Sequence, residues 1–280
     1  MSRKFSWNID PFPHLVIDNY LEKKNFDELT SELDQTDNLL QSNFKTPLES
    51  KSIYKDTFSK DAARKFVQIM GSDEIKKIIA QITGDSEITS MGETESFNGS
   101  SPYHVTNNNN FLGTHVDHSS VEEGRLRHIA NTIFYASSKW KKNWGGQTIL
   151  YSKNGFTQEI LIDPVPNRLI LFIHTANSFH GVNNYISDDC VERRTFYHDY
   201  YVSESNIENV MDNINKDRAS KLVHSFHGTT FIPFIPFGFT HLVFKKIFNL
   251  KNIKYIPIYL AYISNRFLGT RVISLRNFFK

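Results

Sequence analysis

His115-Val-Asp117 and, further along, Phe179-His180-Gly-Val182 supply two imidazoles and one carboxylate. Such a set holds a first-row divalent ion by one face and leaves the opposite face open to a co-substrate and O2, the arrangement suited to non-haem iron oxidation chemistry. The triplet alone is a weak signal. With 11 His and 16 Asp, composition alone yields a His-x-Asp roughly 0.6 times in a chain of this length, and a solvated polar loop would contain one as readily. Its setting carries more. Asn107 to Asn110 and then Phe-Leu-Gly lead into it, and Thr114 and Val116 flank the ligand candidates. In an extended segment residues i and i+2 point the same way, so His115 and Asp117 reach one ion without special backbone.

The other half of such a site lies downstream. Asn167-Arg-Leu-Ile-Leu-Phe-Ile173 is a short apolar run rich in β-formers and reads as a buried strand. His174 to Val182 follows, and then a further strand, Arg193 to Val202. An arginine entering a strand behind a metal ligand offers a planar fork that holds a carboxylate in bidentate fashion. Neighbours on a strand face opposite ways, so only one of Arg193 and Arg194 can serve. Arg194 is favoured because Phe196 and His198 share its face.

Residues from about 11 to 202 resemble a 2-oxoglutarate- and Fe(II)-dependent oxygenase of the prolyl-4-hydroxylase-like type. Five ordered pieces carry the resemblance: Pro11 to Leu21, Gly113-Thr-His-Val-Asp117-His-Ser, Arg127 to Tyr135, Trp144-Gly-Gly-Gln-Thr-Ile-Leu-Tyr151, and Ser178-Phe-His180-Gly-Val. Arg194 follows at the position of that family's co-substrate cation. The resemblance implies Fe(II) on His115, Asp117 and His180, with 2-oxoglutarate as co-substrate and ascorbate as an accessory reductant. The far carboxylate of 2-oxoglutarate would pair with Arg194, and Tyr103 would bond a co-substrate carboxylate. The implied reaction hydroxylates a C–H bond of a prolyl, amino-acid or small-metabolite substrate and releases succinate and CO2. Two features depart from the pattern. The stretch from His180 to Arg194 is longer than usual, and the tail beyond residue 202 is not required by the family core.

Other readings stay open at this point. They are a hydroxylase of glycan- or lipid-linked substrates at a membrane surface, a non-catalytic jelly-roll binding protein, and a cupin-type isomerase or dioxygenase that does without 2-oxoglutarate. His118 could replace a ligand, although the His-x-Asp register suits His115 better. His174 reads as packed or supporting, His198 as a residue that lines the pocket, and His104, His224, His227 and His241 as ordinary. Trp140 and Trp144 read as structural, with Gly145-Gly146 making a tight turn.

The elements that must position these groups follow from periodicity. Pro13 to Ile17 reads as a strand, and Glu22 to Leu33, Ser59 to Ile69 and Asp73 to Ile82 as helices, the last ended by Gly84. From about Glu87 to Val202 the chain is mostly strands and polar turns. Helices followed by many short strands give an α+β class. The resemblance sharpens this to a double-stranded β-helix, or jelly roll, with supporting N-terminal helices and a C-terminal, mostly helical extension. The domain reading is an oxygenase jelly roll over 1–205 and a basic, aromatic-rich extension over 206–280.

At 280 residues with 23 Phe the chain can bury a large core. A lone cysteine, Cys190, excludes an internal disulfide and suits a reducing compartment. The first residues carry no apolar signal core, and no uncharged run is long enough to span a bilayer. The expected location is therefore cytoplasmic, with peripheral membrane association through the tail. Residues 218–280 hold ten Lys or Arg and no acidic residue, leaving 22 basic and 30 acidic side chains, a net −8, in residues 1–217. With Phe231-Ile-Pro-Phe-Ile-Pro-Phe-Gly-Phe239 beside these charges, packing of the tail on the barrel comes first, contact with an anionic membrane second and nucleic acid third. The expected partner of the site is a peptide or small-molecule substrate.

Overall fold

The computed structural model describes residues 5–35, 40–45, 49–54, 61–85, 87–95, 102–151, 158–216, 218–224 and 230–231. In chain order the strands are β1 (His14–Ile17), β2 (Leu40–Lys45), β3 (Glu49–Tyr54), β4 (Thr89–Ser90), β5 (Tyr103–Thr106), β6 (Asn110–Val116), β7 (Ser120–Val121), β8 (Leu126–Tyr135), β9 (Thr148–Tyr151), β10 (Gln158–Ile162), β11 (Leu169–Ile173), β12 (His180–Tyr185), β13 (Arg193–Ser203) and β14 (Thr230–Phe231). Helix α1 (Lys23–Asp34) follows β1, α2 (Asp61–Met70) and α3 (Asp73–Thr83) follow β3, and α4 (Ile207–Asn215) follows β13. The three N-terminal helices and the first strand thus lie within a residue or two of their periodicity. Gly84 ends α3 in the left-handed conformation, φ +68°.

The strands form one curled antiparallel sheet in the order β1-β11-β8-β13-β5-β3-β6-β12-β9-β10. It folds back on itself, with β1-β11-β8-β13-β5 as one half, β6-β12-β9-β10 as the other, and β3 at the bend. This is a double-stranded β-helix. Its halves face each other, as contacts from β8 and β13 to the loop after β6 and to β9 establish.

Helices cover the outer face of the first half. On α1 the buried residues Phe26, Leu29, Thr30 and Leu33 recur at helical spacing. Phe26 meets Phe134 of β8 edge-on at 6.1 Å, and Phe66 of α2 packs on Phe134 at 4.4 Å and on Phe196 of β13 at 5.0 Å. Each such ring or leucine removed from water contributes about 1.5–3 kcal/mol. Helix α4 buries Val210, Met211 and Ile214 and packs on α3. The chain then runs through buried Leu222, bonds the Ala176 amide with the Val223 carbonyl at 2.9 Å, and pairs β14 with Val116 and His115. Most of the basic tail, and with it the membrane reading of 218–280, lies outside the described residues. Among the described residues no helix is long and apolar enough to cross a membrane.

Strand β13 presents Arg194, Phe196, His198 and Tyr200 to the helices. His198 is therefore not a pocket residue: it is 2% exposed, beside Gly71 and against Tyr200. Burial lowers its pKa from 6.5 to about 4. The unfolded chain then binds one more proton than the folded one between these two values, so stability falls as pH drops from 6.5 towards 4. The contribution lost is on the order of 3 kcal/mol. Melting temperatures across that range should show a shallower acid loss for His198→Leu than for the parent protein, and superimposable pH profiles would contradict this.

Candidate metal centre

His115 on β6 and His180 on β12 are directly paired across the two strands. Their rings lie 4.2 Å apart. His115 Nδ1 donates to the Gly113 carbonyl at 2.8 Å, and His180 Nδ1 donates to the Ser178 carbonyl at 3.0 Å. Each ring thereby turns Nε2 toward Asp117, whose Oδ1 is 3.3 Å from His115 Nε2 and whose Oδ2 is 3.3 Å from His180 Nε2. Both histidines are buried, and the carboxylate side chain keeps 22% of its exposure, so the group opens on one side. A glycine behind His180 allows the close strand approach: a Cβ on Gly181 would lie 2.8 Å from the Leu112 carbonyl oxygen.

Electrostatics hold the three groups together. Burial alone would raise the Asp117 carboxyl, but the His180 and His115 rings outweigh it and hold the group well below the usual carboxylate range. Burial lowers His115, aided by its neighbour His180. At His180 burial also acts downward, yet the Asp117 charge and hydrogen bond prevail and raise it. The donor set fits a first-row divalent ion: two Nε2 atoms oriented by carbonyls behind them and one carboxylate, all within 4.8 Å of one another.

His118 does not belong to this set. Its Nε2 bonds Tyr201 Oη at 3.0 Å, and it joins His128 and Asp199 in a second cluster of titratable groups. That cluster is poorly suited to a metal. His128 Nδ1 faces the His118 carbonyl at 2.8 Å and Nε2 faces the Ala130 carbonyl at 3.0 Å. Both ring nitrogens are thus turned to backbone carbonyls rather than into a shared ion site. His174 stacks on His128 at 4.5 Å as a supporting ring.

Of the two arginines weighed for the co-substrate, Arg194 does not face the metal group. Arg194 turns outward and pairs with Asp34 of α1 and with Glu192. Arg193 turns inward and is 4% exposed. Its Nε donates to the Gly146 carbonyl at 2.8 Å, its NH2 donates to Thr148 Oγ1 at 3.4 Å, and its guanidinium lies 5.1 Å from the Tyr135 ring centroid. Tyr135 Oη is 2.6 Å from the same Thr148 hydroxyl. Thr148 and Leu150 face the side of β9 that carries their partners Val182 and His180, so the Arg193 cluster shares the metal group's face. Among the described residues no carboxylate pairs with Arg193. Tyr103 is likewise turned away, stacking on Phe196 at 5.1 Å on the helix side.

The Trp-Gly-Gly turn shapes this pocket. Trp140 Nε1 donates to the Gly145 carbonyl at 2.9 Å, and Trp144 Nε1 bonds Asp188. Gly146 has φ +75°, and a Cβ there would lie 2.8 Å from Tyr185 and 3.0 Å from Arg193 Cδ. Gly146→Ala should cost about 1–3 kcal/mol of stability through backbone strain. It should also weaken 2-oxoglutarate binding, read by titration calorimetry, because Arg193 must move. Unchanged affinity would detach the turn from the anion pocket.

Residues 101–198 match the family model of the 2OG-Fe(II) oxygenase superfamily, which supports an oxygenase that uses Fe(II) and 2-oxoglutarate. The fold is that of a Pseudomonas putida prolyl-4-hydroxylase structure, 16% identical with a TM-score of 0.50, the match covering 68% of this chain and 92% of that one. A Trichoplax adhaerens prolyl hydroxylase bound to a hypoxia-inducible-factor peptide fragment is 17% identical over 69% of this chain and 84% of that one, with a TM-score of 0.48. HygX of Streptomyces hygroscopicus, with nickel, 2-oxoglutarate and hygromycin B bound, is 12% identical over 69% and 83%, with a TM-score of 0.43. No curated protein matches the chain.

Proposed function

We propose that the chain hydroxylates a C–H bond of a prolyl, amino-acid or small-metabolite substrate, with His115, Asp117 and His180 as its iron ligands and Arg193 as its co-substrate cation. The observation that carries this reading is Arg193. A guanidinium keeps its charge when buried, and burying it without a carboxylate partner is costly. Burial is the largest influence on this group, and it draws the pKa down despite the offsetting effect of Tyr135 and Tyr185. A bound dicarboxylate would supply the missing anion, with Tyr135 and Thr148 hydroxyls beside it.

The remaining protein groups position and exclude. The carbonyls of Gly113 and Ser178 fix the two imidazoles in the tautomer that offers Nε2 to a metal. Leu150, Phe172 and Val182 are buried around His180 and keep water from its inner face. Iron held by His115, Asp117 and His180, with 2-oxoglutarate and O2, would supply the oxidising power, releasing succinate and CO2. The division into a jelly roll over 1–205 and an extension over 206–280 is retained as a proposal, with α4 and residues 218–224 docked on the first part.

The test is succinate release under air with Fe(II) and 2-oxoglutarate, against prolyl peptides, free amino acids, small metabolites and lipid-linked sugars. Substrate-dependent succinate with a one-oxygen mass gain on a peptide, amino acid or small metabolite supports the reading. The same gain on a lipid-linked sugar alone would move it to the glycan or lipid alternative. No 2-oxoglutarate turnover with any substrate, by protein that binds iron, would oppose the hydroxylase.

A further inference from the structure

Asp117 lies just beyond the end of β6 and is only partly buried, so packing does not by itself fix its carboxylate. Among the described residues three side chains hold it: His115, His180 and Asn131, whose Nδ2 donates to Asp117 Oδ2 at 3.0 Å. The first two cannot hold it in the same way with a metal present. An imidazole that gives its Nε2 lone pair to an ion has no proton there to share with Asp117. Asn131 is then the one of the three that still donates to the carboxylate.

Asn131 is itself clamped. It is on β8 facing the interior, 6% exposed, and its Nδ2 also donates to Asp199 Oδ1 at 3.0 Å. One amide nitrogen with two hydrogens thus bridges two carboxylates. The reversed amide would turn Oδ1 toward both negative groups and lose two charge-assisted bonds, so the orientation is fixed by chemistry. Asp199 is held in turn beside His128, whose Nε2 is 3.6 Å from Oδ1, and beside His118 at 4.0 Å.

We propose that Asn131, locked by Asp199, is a positioning residue that holds Oδ2 of Asp117 and leaves Oδ1 as the oxygen for the metal. This rests on the reading of His115, Asp117 and His180 as the metal ligands. Loss of the bridge frees the carboxylate to rotate and leaves Asp117 and Asp199 facing each other without a donor between them. Partners of this kind behind a ligand typically affect metal affinity by about 10–100-fold.

The test is anaerobic titration of metal-free full-length protein with Fe(II), and with Co(II) for its ligand-field absorption. The variants are Asn131→Leu, close in volume and without a donor, and Asn131→Ala. Thermal unfolding of each metal-free variant is measured alongside. The expected result is one ion per wild-type chain and about 10–100-fold weaker binding in both variants, with an altered Co(II) spectrum. The metal-free melting temperature of both variants should fall, because buried Asp199 loses a donor, so positioning is read from the altered Co(II) spectrum of the folded variants, which a general loss of stability would not produce. Wild-type affinity and an unchanged spectrum in either folded variant would overturn the role of Asn131 and leave the ligand assignment standing. Failure of the wild-type chain to take up an ion would overturn the ligand assignment itself. Should Asn131→Leu fail to fold, Asn131→Ala decides the matter, and Asp199→Ala, which unlocks the amide, should weaken binding in the same direction.

Discussion

Asp117→Ala is expected to abolish turnover while leaving the fold in place. The substitution removes the one anionic member of a three-group centre and leaves two imidazoles to hold a doubly charged ion. A metal centre contributes several kcal/mol to its reaction, so the loss should reach at least about 10³-fold in kcat/KM. The side chain keeps 22% of its exposure, and its partners are the two histidines and Asn131 rather than the apolar core. Circular dichroism and the metal-free melting temperature should therefore change little. Turnover near the wild-type level would sink the assignment of Asp117 as a ligand.

Arg193→Ala is expected to produce the second large effect, on the co-substrate rather than on the metal. The distal carboxylate of 2-oxoglutarate would enter a buried pocket with no cation, and a broken buried pair of this sort costs about 3–5 kcal/mol. Affinity for 2-oxoglutarate should fall by about 10²–10⁴-fold. Stability of the ligand-free protein should hold or rise, because a buried charge without a carboxylate partner has been removed. Arg194→Ala is the matched control. It breaks partly exposed pairs with Asp34 and Glu192, worth at most about 1 kcal/mol. It should leave 2-oxoglutarate affinity alone. The reverse outcome would return the co-substrate role to Arg194.

These two arginines show that strand periodicity separates two faces but does not by itself say which one looks inward. Along β13 the even positions Phe196, Tyr200 and Val202 are apolar, while Thr195, Tyr197 and Asp199 alternate with them. Phe196 and His198 do share a face with Arg194, but that face packs on α1 and α2. The polar set marks the interior, which includes Arg193, and the same alternation on β8 would have picked out Asn131 and Tyr135. Tyr103 also lies on the helix side, since β5 pairs it with Phe196. The candidate ligand motifs are readable because their spacing is local. His115 and Asp117 need only an extended backbone, and Gly181 after His180 signals close strand approach.

Strands β2 and β3, by contrast, carry no clear alternation in Leu-Gln-Ser-Asn-Phe-Lys and Glu-Ser-Lys-Ser-Ile-Tyr. They are strands because β3 finds partners in β5 and β6, a long-range event that no local window contains. The α1, α2 and α3 helices were readable from apolar spacing, and α3 also from the Gly84 stop. The Asn131–Asp199 bridge joins β8 to β13 and the pair to the loop after β6. Only the register of three strands brings those residues together.

The most direct test of the central claim is the number of Fe(II) ions bound per chain in anaerobic titration, wild type against a variant in which His115, Asp117 and His180 are all replaced by alanine. One ion per wild-type chain and none for the triple variant, with both proteins folded, is the predicted result. Equal uptake by the triple variant would place the metal elsewhere and contradict the account.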